Sequence, residues 1–180
     1  TIFASAPILL MKIYVVSWLN AFEKEGIFTS KDQKDFYFEW QGTLGCIFAI
    51  FTMIPVGYFI DKLSLRIILP IVLIIRAGIY YLVYSIENPV KQSTRFFLTV
   101  PLMNVGLNMV VITIKSHLNK QYPKDIRGMC TMVEHIITTI GMTLLPSYFQ
   151  FLYEKSPKLP FLGMTILDSV ALVLCLILFM

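Results

Sequence analysis

Gly57-Tyr-Phe-Ile-Asp61-Lys62-Leu-Ser-Leu-Arg66 is the polar break between two long apolar runs, and the rest of the chain is read outward from it. An apolar span of about 40–60 ends there and another begins at Ile67, so about six residues turn the chain. A connection this short makes the two helices antiparallel neighbours and holds Asp61, Lys62 and Arg66 at a membrane surface. Asp61 is expected to cap the following helix and to pair with Lys62 or Arg66.

Composition sets the class around this turn. Of 180 residues, 57% are hydrophobic and 14% charged, with a mean hydropathy of +0.73, too little polar surface for a soluble globule. The expectation is an all-α integral membrane protein, multi-pass, with the lipid bilayer as its first partner. Basic residues at membrane surfaces account for a pI near 8.9 without nucleic acid. Cys46, Cys130 and Cys175 fall in three different apolar runs, a spacing that implies neither metal site nor disulfide frame. No His-Glu-x-x-His, phosphate-binding glycine loop or Gly-x-Ser-x-Gly is present, so neither enzyme nor cofactor is expected. Thr1 is not an initiator methionine and Met180 stands inside an apolar run, so the chain is expected to be part of a longer one.

Six spans follow from the apolar runs, at about 2–19, 40–60, 67–86, 96–114, 129–153 and 161–180. Trp18 stands where an interfacial anchor is useful. Residues 20–39 read as a solvated acidic loop, in which 30–34 open a short surface helix. Gly42 and Gly45 permit close helix approach in the second span. Asn104 and Asn108, spaced i,i+4, share one face of the fourth and read as interhelical hydrogen bonds before ligands. Lys115 to Gly128 is the most basic connection. The basic residues do not orient the spans: six lie on one side and seven on the other.

Charges within spans mark pairs or pathways. Arg76 lies about ten residues in from the Asp61 side and Asp168 about eight from the other, so at ~1.5 Å per residue both reach mid-bilayer. A buried pair locking two helices is the favoured reading, with a proton or substrate relay as the alternative. Lys12, near the centre of the first span, reads either as a substrate-path residue or as a snorkelling or paired lysine. Glu134 is expected to pair with Lys115 at similar depth, and a His135 proton switch is the lesser reading beside it.

Two connections carry a family resemblance. Gly57, Asp61, Lys62 and Arg66 match the Gly-x-x-x-Asp-(Arg/Lys)-x-Gly-Arg-(Arg/Lys) loop of the major facilitator superfamily, with Ser64 and Leu65 departing from it as in a second-half copy. Pro123, Asp125, Arg127 and Gly128 resemble the Pro-x-(Glu/Asp)-x-Arg-Gly turn between the fourth and fifth helices of a half. The resemblance implies a C-terminal six-helix half, whose N-terminal partner half is missing from this sequence. It implies a cavity lined by the first helix, third and sixth helices side by side, and both motif loops in the cytoplasm or its organellar equivalent. The implied function is secondary transport of a small polar or anionic solute by alternating access, with Lys12, Asn104 and Asn108 as path candidates. A non-transporting subunit of a larger membrane assembly, with other membrane subunits as partners, is the alternative, and a channel-like oligomer of halves the third. An organellar membrane such as the mitochondrial inner membrane is compatible with the sequence.

Overall fold

A computed structural model describes residues 2–121 and 123–179, with side chains from residue 13 onward except those of residues 107, 119, 121, 142 and 179. Six long helices follow one another: α1 (Ile2–Lys24), α2 (Lys31–Lys62), α3 (Leu65–Tyr84), α4 (Ser93–Gln121), α5 (Arg127–Lys155) and α6 (Leu159–Phe179). One 3-10 turn, Lys124–Ile126, precedes α5, and no strand occurs among the described residues. Among the described residues α2 to α6 are each long and apolar enough to cross a membrane.

The helices overrun the apolar spans at several ends. The polar stretch 20–39 is not a loop with a separate short helix. Ser30 instead starts the 32-residue α2, its hydroxyl accepting from the Gln33 amide at 3.2 Å while Gln33 Oε1 accepts from the Thr29 amide at 2.9 Å. This reciprocal capping satisfies the first free amides and lets the helix run into the apolar span without a break. Lys34 ties the new turn back to α1 through Glu23 at 2.7 Å and Asn20 at 3.0 Å. Residues 115–121, read as connection, likewise continue α4. The α2–α3 turn is tighter than six residues: only Leu63 and Ser64 separate the helices.

Packing joins α3 to α6, α2 to α4, α3 to α4 and α1 to α5 most extensively, while α2 and α3 touch little despite their short connection. Smaller contacts join α5 to α6, α1 to α4, α1 to α2 and α1 to α6. Two clusters fill the interior. Near the α1–α2, α3–α4 and α5–α6 connections, Trp18, Phe22, Tyr37, Phe96, Phe149 and Phe161 are buried together. Toward the α2–α3 hairpin, Ile60, Ile68, Leu69, Val72, Leu73 and Val110 form the other. Trp18 is therefore no interfacial anchor: it is fully buried against the rings of Phe22, Phe96 and Phe161. Interdigitated rings from α1, α4 and α6 offer it more contact than a headgroup layer does.

Candidate functional site

Arg76 and Asp168 meet between the two clusters. Both are completely buried, and the guanidinium grips the carboxylate by both edges, Nε donating to Oδ2 at 2.8 Å and Nη2 to Oδ1. The fork geometry that makes arginine suited to carboxylates is satisfied in full. Gly106 of α4 makes room for it, since a Cβ there would stand 3.3 Å from Arg76 Cγ. Tyr80, one turn further along α3, is completely buried, and its hydroxyl has no partner among the described residues.

A separate cavity of about 800 Å³ lies between α1, α2 and α4. Ile13, Val15 and Val16 form one wall, Phe38, Glu39, Gln41, Gly42, Thr43 and Cys46 a second, and Met103 and Asn104 a third. Its polar groups are Glu39, Gln41, Thr43 and Asn104. Thr43 spends its hydroxyl proton on the Glu39 carbonyl at 3.1 Å, as helical threonines do. Asn104 carries no side-chain hydrogen bond among the described residues and so offers its amide group to whatever enters. It also sits against Gly45, where a Cβ would come within 2.9 Å of its Nδ2, which fixes how closely α2 approaches α4. Asn108, one turn along, is half-buried, is not part of the cavity wall and likewise has no side-chain partner among the described residues. The expectation that these two asparagines bridge helices is thus corrected: the i,i+4 face is shared, but the amides find no acceptor on the facing helix. Lys12 immediately precedes the cavity wall on α1, and its side chain lies outside the described residues.

The motif loops are placed at one end of the bundle. Asp61 neither caps α3 nor takes Lys62 or Arg66. It accepts instead from Lys120 Nζ of α4 at 2.8 Å, both groups being more than half exposed. The N-cap of α3 is Ser64, without a side-chain hydrogen bond. Asp61 stands one residue beyond the span at 40–60, and the Lys120 hydrogen bond and charge hold its carboxyl below the usual carboxylate range. Lys62 donates back to the Tyr58 hydroxyl and lies 4.3 Å from that ring, while Arg66 is exposed in the first turn of α3. A Cβ at Gly57 would meet nothing within 4 Å, so this chain's own packing gives no reason for a glycine there. Pro123, Asp125, Arg127 and Gly128 are all exposed on the turn into α5.

Lys115 and Glu134 do not pair. Among the described residues no ion pair joins them, because α4 and α5 are not packed side by side. His135 is exposed. A different histidine matters to the hairpin: His117 is buried, Nδ1 lying 2.9 Å from the Thr113 carbonyl and Nε2 3.3 Å from the Leu63 carbonyl. A carbonyl only accepts, so each contact is a hydrogen bond when the facing nitrogen carries a proton. With Lys120 one turn away, His117 gives the α2–α3 hairpin a second fastening to α4. Its position four residues after Thr113 and near the end of an apolar run was the only signal available in the sequence.

Comparison with protein-family models, curated proteins and solved structures found no match.

Proposed function

We propose that this chain is a multi-pass membrane protein, one six-helix half of a major facilitator type transporter, moving a small polar or anionic solute by alternating access. The observation that carries the reading is an exchange pattern in the packing. Replacing α1, α2 and α3 by α4, α5 and α6, and the reverse, turns α1·α5 into α2·α4, α1·α6 into α3·α4 and α2·α3 into α5·α6, and leaves α1·α4 and α3·α6 unchanged. Among the described residues α1·α2 has no counterpart of comparable extent, and α1·α6 is much slighter than α3·α4. Nested three-plus-three repeats of this kind build each half of such a transporter.

The exposed surface agrees with a missing half. The exchange partners α2 and α5 are much less buried along their apolar lengths than α3 and α4, with α6 between the two. Two uncovered helices related by the repeat offer a second bundle its place. The cavity wall of α1, α2 and α4 would then face that bundle, with Asn104, Gln41 and Glu39 turned toward a polar solute. The anionic alternative rests on Lys12.

The deciding experiment extracts the native protein in mild detergent, measures its size and sequences the peptides in the same band, then assays uptake of a radiolabelled solute panel in liposomes. A particle containing this bundle and one further six-span unit, with uptake of at least one solute, is expected. A very large particle with many partners and no uptake would overturn the transporter reading in favour of an accessory subunit.

A further inference from the structure

Leu63 ends α2 with an extended backbone, φ −97° and ψ 146°, so its carbonyl leaves the helical hydrogen-bond ladder. No backbone amide among the described residues takes it up. Its partner is His117 of α4, whose Nε2 lies 3.3 Å away while Nδ1 lies 2.9 Å from the Thr113 carbonyl one turn back. Both neighbours accept, and a neutral imidazole has a single N–H to share between them. The ring is buried, so whichever nitrogen lacks the proton turns a lone pair on a carbonyl oxygen. An imidazolium, with two N–H groups, satisfies both oxygens at once.

The two contacts are unequal. That to Thr113 is the shorter and stays within one turn of α4, whereas that to Leu63 joins α4 to the hairpin. A neutral ring therefore keeps its proton on Nδ1, and the contact it gives up is the one that fastens the hairpin. The surrounding charges leave room for a second proton. From α2 come Asp61 and Lys62, from α3 Arg66, and from α4 itself Lys115 and Lys120. Lys120 is bonded to Asp61 and Lys62 to the Tyr58 hydroxyl, while Lys62, Arg66 and Lys115 are exposed, where solvent screens them. The one charged residue of α6, Asp168, is held by Arg76. Asp61 is the acid that acts on the ring: its carboxyl is held below the usual range by Lys120 first and by His117 to a smaller extent.

We propose that His117 is a pH-operated clasp on the α2–α3 hairpin: the imidazolium ties the Leu63 carbonyl to α4, and the neutral ring releases it. Imidazoles ordinarily change charge at about pH 6.5, so the clasp closes as pH falls from about 8 to about 5 and opens as pH rises again. The Asp61–Lys120 bridge stays intact over that range, because the Asp61 carboxyl titrates below it. The test is hydrogen–deuterium exchange of the native full-length protein in detergent, read on a peptide covering residues 63–68. Its rate is divided at each pH by that of the same peptide free in solution, which cancels the intrinsic pH dependence of exchange. Protection of the hairpin should be roughly 3- to 10-fold greater at pH 5 than at pH 8, the net share of one hydrogen bond. In His117→Gln, whose amide does not titrate, protection should be the same at both. Solid-state NMR of the wild-type protein, with 15N-histidine and leucine 13C-labelled at the carbonyl, gives the ring directly and needs no variant. A histidine with both nitrogens protonated and Nε2 close to a leucine carbonyl is expected at pH 5, and one protonated on Nδ1 alone at pH 8. Equal or reversed protection in the wild type, or a pH dependence that survives in His117→Gln, would overturn the clasp. So would a ring whose Nε2 carries a proton at pH 8 or lacks one at pH 5.

Discussion

The Arg76–Asp168 pair separates two readings of a buried charge. As a packing lock it exchanges one cost for another: the ions lose their hydration, and the paired hydrogen bonds between them offset part of that loss. Removing one partner strands the other. Asp168→Asn or Arg76→Met alone should therefore lower stability by about 3–5 kcal/mol, while Arg76→Met with Asp168→Leu should restore most of it. Thermal unfolding in detergent reads the effect. If the double variant were as stable as wild type yet lost solute uptake, the relay reading would replace the lock. The pair is legible in the sequence because depth follows from a residue count, and two opposite charges at one depth have few other partners. Trp18 is not legible in that way: an aromatic residue near a span end looks the same to a residue count whether it meets headgroups or other rings. The difference is made by Phe96 and Phe161, which are distant in sequence and arrive with α4 and α6.

Elements show the same division between local and distant causes. The Ser30-x-x-Gln33 spacing that starts α2 can be read directly, since both hydrogen bonds lie within five residues. The overrun of α4 past residue 114 has no such mark, because polar side chains on a helix and on a loop look alike until something packs on them. Glycines divide similarly. Gly42 and Gly45 both suggest close approach, but only Gly45 is seated against α4, while Gly42 faces the cavity with nothing within 4 Å of a Cβ. Gly45→Leu should force α2 off Asn104 and Pro101 and cost about 1–3 kcal/mol. Gly42→Leu should unfold at the wild-type temperature yet reduce solute uptake, since its side chain occupies the polar cavity. Equal uptake by Gly42→Leu and wild type would remove this cavity from the solute path.

At the scale of the whole molecule, what the chain spells out is six spans and two loop motifs, with no sequence repeat, while the packing exchanges the first three helices with the last three. Exchange of this kind needs only matching helix order and contact faces, which different apolar side chains supply equally well, so it leaves little trace in residue identity. The hairpin motif acquires a mechanical meaning only in that arrangement. It is fastened to α4 twice, by Asp61 to Lys120 and by the Leu63 carbonyl to His117, on the side of the bundle opposite the aromatic cluster. On the transporter proposal, a latch built this way would bias one of two positions of a rocking half. Cys46 on the cavity wall reports which position is populated, with Cys130 and Cys175 changed to serine. Asp61→Ala and Lys120→Ala should each change the alkylation rate of Cys46 by about 2- to 5-fold, the scale of an exposed bridge, and by similar factors in the same direction. Unequal or absent effects would deny the latch. Acid gives the sign independently. Because Lys120 lowers the Asp61 pKa below its unfolded value of about 3.9, the bridge contributes fully above that pH and is lost as pH falls through the lower folded value. In a His117→Gln background, the ratio of the Cys46 rate to that of the same chain carrying Asp61→Ala, taken at each pH so that the thiolate fraction cancels, should therefore stay constant from about pH 8 to about pH 5 and approach one only in stronger acid.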